Sequence, residues 1–255
     1  MDTSATVSEA KELWTKVNRP NLMIKIPATV PGLEAITMAI SAGISVNVTL
    51  IFSVERYAKV IDAYMTGLEK RLDSGQDISN INSVASFFIS RIDTLVDARL
   101  SDMSLSDIDI DSIRGVTAIA NANLAYNLFQ ENISSQRWTH LKSKGANIQR
   151  PLWASTSTKD PKYSDVLYVE SLIADNTVNT MPPSTMQAFK DHGNAVLGLK
   201  MGLEKATRHM EQLANLGIYM GEISAKLEED GVVSFRDSYE QLLSVISERS
   251  KALST

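Results

Sequence analysis

The sequence predicts an α/β protein built on a parallel sheet. Short apolar runs alternate along the chain with segments of helical spacing, which is the pattern of strands joined by crossover helices. These apolar runs are nearly continuous rather than alternating, so both faces of the sheet are expected to be covered. The chain has 255 residues, 44% of them hydrophobic, which is enough for a sizeable core. A doubly wound sheet and a (β/α) barrel both fit this pattern.

Five runs have the composition of buried parallel strands. Each is short and apolar, and several are rich in β-branched residues. In chain order they are residues 22–28, 44–52, 81–90, 150–156 and 167–174. No glycine-rich G-x-G-x-x-G sequence follows any of them, which argues against dinucleotide binding.

The segments between these runs carry helical spacing or helix end signals. Residues 5–17 place four apolar side chains on one helical face. Pro31 suits the first turn of the next helix, and Gly43 ends it. Further helices are expected from Ser53, as the N-cap, to about Leu72, over 112–133, and from Pro183 onward.

Composition and charge exclude several classes of protein. The net charge of −5 implies no general affinity for nucleic acid or for an anionic membrane. The absence of cysteine excludes disulfides and thiolate chemistry, and it fits a cytoplasmic location. No apolar run approaches the roughly 20 residues that span a bilayer, and no signal peptide opens the chain. The three histidines are far apart, so we interpret them as surface or helix residues rather than metal ligands.

One acidic segment, residues 100–112, is predicted to be a solvated loop. Its alternating Asp107, Asp109 and Asp111 resemble part of a calcium loop. The glycine and the final glutamate that such a loop needs are missing, so calcium binding is not expected.

A lysine stands inside the first predicted strand, between Ile24 and Ile26. One explanation is an edge lysine that snorkels to water. The other is that Lys25 points into a barrel or cleft, where desolvation lowers its pKa and leaves some neutral amine. A neutral amine is a nucleophile toward carbonyls and forms a Schiff base.

Polar residues recur near the C-terminal ends of the next strands. Asn47 and Thr49 are two residues apart, so they share one face of a strand. The third strand contains Ser86 and ends near Arg91, whose guanidinium suits a phosphate. Lys159 follows the fourth strand in a loop rich in hydroxyl groups. Ordinary core hydrogen bonds, a surface ion pair and a polar turn are the alternative explanations. Taken with the lysine, these residues indicate a carbonyl-sugar or sugar-phosphate site at the strand ends.

Five stretches of the sequence resemble the transaldolase family and follow in the family's order: NLMIKIPATVPGLEAI, ISVNVTLIFSVERY, SVASFFISRID, RPLWASTSTKDP and TVNTMPPSTMQAFKDHG. They cover most of the chain from about residue 5. The pair IKIPAT and NVTLIFS is the most specific part, and RPLWAST and NTVNTMP are closest to the longer bacterial branch. The resemblance implies an α/β fold of the (β/α)8 TIM-barrel family.

The resemblance also assigns roles on the first two strands. Lys25 matches the Schiff-base lysine of the family. Asn47 would bind substrate hydroxyls, and Thr49 would help to hold a catalytic water.

Further roles follow from the later strands. Ser86 and Phe88 match pocket residues of the family's sixth strand, where phenylalanine is typical of transaldolases and tyrosine of fructose-6-phosphate aldolases. Arg91 matches the phosphate-binding arginine. Lys159 stands where the family usually has a second phosphate-binding arginine.

The reaction that the resemblance implies is transfer of a dihydroxyacetone unit between sugar phosphates. Sedoheptulose 7-phosphate and glyceraldehyde 3-phosphate would become erythrose 4-phosphate and fructose 6-phosphate, in the pentose phosphate pathway. No metal or organic cofactor is required.

The chain departs from the family pattern before the lysine. In the family the lysine lies on barrel strand four, whereas only about 20 residues precede Lys25 here. We therefore expect one domain over residues 1–255, N-terminally truncated, as a partial barrel of strands four to eight with flanking helices. The strand-one aspartate and the strand-three glutamate would be missing. Asp93 and Glu170 are the nearest acidic candidates to replace the glutamate, with a structural or surface role as the alternative.

This expectation has consequences for partners and for rival functions. An open barrel exposes strand edges, so a homo-oligomer or a partner chain that completes the barrel is expected. The rival functions are an aldolase of the fructose-6-phosphate type and a truncated, non-catalytic remnant that binds a sugar phosphate or a partner chain.

Overall fold

The computed structural model describes residues 2–103, 112–197, 199 and 201–253. In this part of the chain, five parallel strands form one sheet in the order β1-β2-β3-β4-β5. The strands are β1 (Ile24–Pro27), β2 (Val46–Ile51), β3 (Ser83–Phe88), β4 (Arg150–Ala154) and β5 (Val178–Asn179). The α/β class is thereby confirmed.

The strand order separates the two architectures that the sequence left open. Strands consecutive in the chain are neighbours in the sheet, as in a (β/α) barrel, whereas a doubly wound sheet reverses its order at a switch point. Among the described residues, β1 and β5 each pair with one strand and not with each other. The partial barrel itself stays a prediction.

Helices precede, connect and follow these strands. They are α1 (Thr3–Val17), α2 (Val30–Ser41), α3 (Val54–Asp73), α4 (Ser90–Ser101), α5 (Thr117–Ile133), α6 (Gln136–Ser143), α7 (Leu167–Ser171), α8 (Pro183–His192), α9 (Leu203–Asn215) and α10 (Met220–Leu253). The predicted cap at Ser53 is confirmed, because its hydroxyl accepts a hydrogen bond from the Arg56 backbone N–H.

One face of the sheet packs beneath the helices and forms the core. On this face Phe87 lies between Tyr57 of α3 and Trp153 of β4, with ring centroids 6.1 Å apart in both edge-on pairs. Ile26 and Val48 share the face and are fully buried. This layer holds β1 to β4 in register and so fixes the opposite face, where the predicted site residues lie.

The fifth predicted strand is wrong. The segment 167–174 begins with the helix α7, and the fifth strand is the later pair Val178–Asn179. Tyr168 and Leu172 are four residues apart and both are buried, which places them on one helical face. A short apolar run does not distinguish a strand from a buried helical turn by periodicity. The helices α4 and α6 were also not predicted.

The remaining expectations concern the acidic segment, the histidines and membrane-spanning helices. Asp107, Asp109 and Asp111 lie outside the described residues. His140 and His192 are exposed on helices, whereas His209 in α9 is buried and shares a 2.9 Å hydrogen bond with Thr117 Oγ1. No helix in the described part of the chain is long and apolar enough to cross a membrane.

Candidate active site

The lysine strand and its neighbour present their polar residues on the same face. In the parallel register Lys25 lies opposite Asn47, and Pro27 lies opposite Thr49. Directly opposed residues of a sheet point to the same side. This is the side away from the helix-covered core, so the lysine is not a core residue.

The third strand extends the same face. Asn47 pairs in register with Val84, so Ser86 and Phe88, two and four residues further on, share its side of the sheet. Ser86 Oγ donates a 2.7 Å hydrogen bond to Asn47 Oδ1. The bond fixes the orientation of the Asn47 amide, whose N–H groups are hydrogen-bond donors.

An irregularity in β2 shapes the site next to Thr49. The β2–β3 register shifts between Val48 and Ile51, and Leu50 takes a φ of 60°. A left-handed backbone is uncommon for a residue other than glycine, and such bulges are frequent beside active sites. The irregularity brings both Thr49 and Leu50 into the lining of one cavity.

That cavity contains the lysine. It has a volume of about 340 Å³ and is lined by Lys25, Pro27, Thr49, Leu50, Val232 and Phe235. The ammonium of Lys25 stands 5.0 Å from the centroid of the Phe235 ring. The side chain keeps an open side toward solvent, but burial of its inner part lowers the pKa of Lys25. The shift favours the neutral, nucleophilic amine.

Thr49 is another lining residue of this cavity, and its hydroxyl is a second polar group of the site. Its Oγ1 is buried and has no hydrogen-bond partner within the described part of the chain. A buried polar atom without a partner is costly, so it is expected to bind a water or a ligand atom. The arrangement can therefore offer an amine and a hydroxyl to a carbonyl compound.

Arg91 lies at the edge of the same face. It is the second residue of α4, and its guanidinium carbon stands 5.2 Å from the centroid of the Phe88 ring. Phe88 in turn packs on Phe52, with ring centroids 5.2 Å apart. Within the described residues Arg91 forms no ion pair. A free guanidinium at the first turn of a helix is suited to an anion.

Lys159 does not join this group. It is exposed in the loop after β4, where its Nζ donates a 2.8 Å hydrogen bond to Ser157 Oγ. It lines a different cavity, of about 390 Å³, together with Asp93, Asp97 and Asp160. These carboxylates do not favour a phosphate beside Lys159.

The two acidic candidates, Asp93 and Glu170, accept hydrogen bonds from other residues of the fold. The Asp93 carboxyl is buried and accepts hydrogen bonds from the Ala118 backbone N–H at 2.7 Å and from the Tyr168 hydroxyl at 2.8 Å. Glu170 accepts a 2.7 Å hydrogen bond from the Asn194 backbone N–H. Neither lines the cavity of Lys25, and no carboxylate is found among the described residues that do.

The described residues contain no group of three or more His, Cys, Asp and Glu side chains placed to hold a metal ion. The chemistry available at the site is that of an amine, an amide, hydroxyls and a guanidinium.

Sequence reasoning missed Val232 and Phe235. Both come from α10, more than 200 residues after the lysine in the chain. No local pattern indicates that this helix reaches β1, because the contact depends on tertiary packing alone.

Comparison with known proteins identifies the family of the chain. The family model described as transaldolase/fructose-6-phosphate aldolase matches residues 1–246. The match starts at residue 1 and so gives no support to the expectation that the chain lacks the N-terminal part of the family domain.

Curated relatives give the same result. The chain is 51% identical over 249 residues to a transaldolase of Thermobifida fusca and 52% identical over 250 residues to one of Parafrankia sp.. A transaldolase of Mycolicibacterium smegmatis is 51% identical over 243 residues. These alignments cover 95–97% of this chain and 65–67% of the relatives, so the chain spans about two thirds of their length. The chain belongs to the transaldolase/fructose-6-phosphate aldolase family.

Proposed function

We propose that the chain is a transaldolase-type transferase that uses Lys25 as its Schiff-base nucleophile. One observation carries the proposal. The amine with the lowered pKa lines a cavity that is also lined by Thr49, whose buried hydroxyl has no partner among the described residues, and Asn47 stands beside the lysine on the next strand. Curated relatives at about 50% identity are named transaldolases, and the proposal extends that activity to this chain.

The proposed reaction begins when the neutral amine attacks the C2 ketone of sedoheptulose 7-phosphate and water leaves. The C3–C4 bond of the imine then breaks, its electron pair moves toward the imine nitrogen, and the C4 hydroxyl loses its proton. Erythrose 4-phosphate departs, and a dihydroxyacetone enamine stays on Lys25. The enamine adds to glyceraldehyde 3-phosphate, and hydrolysis releases fructose 6-phosphate.

Each remaining residue has a proposed role in this cycle. Asn47, oriented by Ser86, binds substrate hydroxyls. Thr49 holds the water that moves protons, Phe88 bounds the pocket, and Arg91 binds the phosphate. Lys159 as a second phosphate contact stays a prediction. It lines a separate cavity, so its position gives this role no support. No metal or organic cofactor is assigned to the reaction.

The proposed cycle needs a group that transfers protons. The described residues that line the lysine cavity include no carboxylate, and general acid–base catalysis is typically worth about 10² to 10⁴-fold. We therefore propose that imine formation proceeds on this chain and that later proton transfers limit turnover.

The open edge of β1 supports a proposal about partners. This strand carries Lys25 and pairs with β2 alone among the described strands. An unpaired parallel edge is a template for another strand, so we propose a homo-oligomer or a partner chain that covers it. We place the protein in the cytoplasm, because it has no cysteine and its proposed substrates are sugar phosphates.

The test is borohydride trapping with fructose 6-phosphate, read by intact mass and by the modified peptide. We expect one reduced adduct on the peptide that contains Lys25. Lys25→Met should give none, whereas Lys11→Met, which removes an exposed lysine of α1, should trap like the parent chain. A folded chain that forms no adduct would contradict the proposal.

Two assays separate the rival functions. Release of glyceraldehyde 3-phosphate from fructose 6-phosphate without any acceptor would indicate an aldolase. Binding of the sugar phosphate without an adduct would indicate a non-catalytic remnant.

A further inference from the structure

The long helix α10 reaches the lysine strand with one of its faces. Glu228, Gly231, Val232 and Phe235 are spaced by three, four and seven residues from the first, so they lie on one side of the helix. Glu228, Gly231 and Phe235 contact residues of α3, β2 and β1 respectively, and Val232 lines the lysine cavity.

Two contacts fix this part of α10, one against α3 and one against β2. Glu228 forms an ion pair with Arg56, at 3.1 Å, and both side chains are about one fifth exposed. One turn later the helix comes so close to the sheet that a Cβ on Gly231 would stand 2.8 Å from Leu50 Cδ2. The glycine therefore permits a close approach, and the bulged Leu50 is the surface that it approaches.

The consequence of this approach is a roof over the lysine. Val232 and Phe235 complete the cavity of about 340 Å³ whose other walls come from β1 and β2. The Phe235 ring stands over the Lys25 ammonium, 5.0 Å from ring centroid to nitrogen. The ring is 43% exposed, so it covers the amine on the α10 side while Lys25 keeps its open side toward solvent.

We propose that α10 is the roof of the lysine cavity and that Phe235 is a positioning residue, which covers the amine and holds it at the edge of β1. The proposal rests on the proposed Schiff-base function and adds a residue to it. The face of an aromatic ring attracts a cation. The ring therefore suits the ammonium before the reaction and the protonated imine during it, and its bulk excludes water that would hydrolyse the imine.

Two effects of the ring oppose each other, and substitutions separate them. Desolvation by burial lowers the pKa of Lys25, and the apolar ring is part of the lining that buries it. The negative face of the ring stabilises the cation. Phe235→Ala removes both effects, whereas Phe235→Leu keeps most of the cover and removes the ring face.

Competitive labelling with trace acetic anhydride measures the amine without any substrate. The whole chain is labelled across a pH series, and mass spectrometry follows the peptide that contains Lys25. In Phe235→Ala we expect the midpoint of the labelling profile to rise by about 0.5 to 1 pH unit, which at a fixed lower pH slows labelling about 3- to 10-fold. In Phe235→Leu the midpoint should stay at or below that of the parent chain.

A matched control lies one turn further along the same helix. Tyr239 is 60% exposed, so Tyr239→Ala should leave the midpoint unchanged. A midpoint that does not move in a folded Phe235→Ala chain would overturn the proposal. Equal shifts in Phe235→Ala and Tyr239→Ala would also overturn it, because they would indicate general loosening of α10. Equal shifts in the alanine and leucine variants would exclude the apolar cover as the cause.

Failure of the two proposals is distinguishable. If the parent chain forms no adduct with fructose 6-phosphate, the Schiff-base function is wrong. The labelling result then describes only the surroundings of the Lys25 amine. If the parent chain is trapped but Phe235→Ala is trapped with the same pH profile, the positioning role fails.

Discussion

Ser86 on β3 donates a 2.7 Å hydrogen bond to the side-chain oxygen of Asn47 on β2. The bond crosses between neighbouring strands on the face that carries Lys25. An amide free to rotate presents its donors in many directions, whereas this one presents them in a single direction. The pair is therefore the part of the site that is oriented before a substrate arrives.

Ser86→Ala tests this orientation. The substitution removes the hydroxyl that donates to the Asn47 side-chain oxygen, and a typical hydrogen bond contributes about 0.5 to 1.5 kcal/mol. We expect the concentration of fructose 6-phosphate that half-saturates adduct formation to rise about 3- to 10-fold. Trapping at a series of substrate concentrations measures the change.

The control for Ser86 is a buried serine of the same strand. Ser83 Oγ donates to the Val46 carbonyl at 2.7 Å and accepts a hydrogen bond from the Gln149 side chain at 2.8 Å, near the opposite end of β3. Ser83→Ala should lower the free energy of unfolding and leave half-saturation unchanged. Equal changes in half-saturation in both variants would contradict the role of the Asn47–Ser86 pair.

Thr49→Val separates stability from activity. The valine has the same shape, and the hydroxyl that it replaces is buried without a partner in the described structure. The free energy of unfolding should stay the same or rise by up to about 1 kcal/mol, since an unsatisfied polar atom is removed. Turnover of sedoheptulose 7-phosphate should fall about 10- to 100-fold if the hydroxyl holds the water that transfers protons.

Chemical denaturation and a coupled assay for fructose 6-phosphate measure these two effects. Thr156→Val is the comparison, because Thr156 Oγ1 donates a 2.8 Å hydrogen bond to Asn179 Oδ1. That variant should lose stability instead. A Thr49→Val chain with full turnover would exclude the proposed role of the hydroxyl.

The pattern of polar residues in the first three strands was predictable because it is local. Lys25, Asn47 and Ser86 each interrupt an apolar strand, and alternation along a strand decides which of its residues share a face. The fifth strand was not predictable, since Tyr168 and Leu172 fit a short strand and a helical turn equally well.

Long-range features left no local signal. The bulge at Leu50 appears in a run of β-branched and apolar residues with no glycine to mark it. The contact of Phe235 with Lys25 depends on how α10 crosses the sheet, and that depends on Gly231 and Leu50 together. Helical periodicity predicts that α10 has an apolar face but not what that face covers.

Gly32→Ala tests the turn that follows the lysine strand. A Cβ at this position in the first turn of α2 would stand 2.0 Å from the Pro27 carbonyl oxygen, which is backbone and cannot rotate away. The strand end or the helix must shift, and we expect a loss of about 2 to 4 kcal/mol in the free energy of unfolding. Urea denaturation measures it.

The matched control is a glycine in α10 with open space around it. A Cβ at Gly221 meets nothing within 4 Å, and alanine has the higher helix propensity. Gly221→Ala should therefore be neutral or stabilise the chain by about 0.5 to 1 kcal/mol. A Gly32→Ala chain as stable as the parent would show that the turn after β1 is free to move.

Asp93 predicts a pH dependence of stability. Burial raises the pKa of its carboxyl to about 7, against the hydrogen bonds from the Ala118 backbone, the Tyr168 hydroxyl and the Thr117 backbone, which favour the charged form. In the unfolded chain the carboxyl ionises near its ordinary pKa of about 4. Between these values the folded chain holds a proton that the unfolded chain has lost. The contribution of Asp93 to the free energy of unfolding therefore falls as the pH rises from about 4 to about 7, and it is constant above that.

Asp93→Asn removes this titration and keeps the shape of the side chain. Its amide oxygen can still accept from the Ala118 backbone N–H. The stability of the variant relative to the parent should improve as the pH rises from 5 to 8, by roughly 1.4 kcal/mol for each unit below the folded pKa. Urea midpoints at several pH values measure the difference. Asp73→Asn, at an exposed position at the end of α3, is the control for the substitution itself. If the stability difference between Asp93→Asn and the parent chain does not vary with pH, the Asp93 carboxyl of the parent is already ionised in the folded chain.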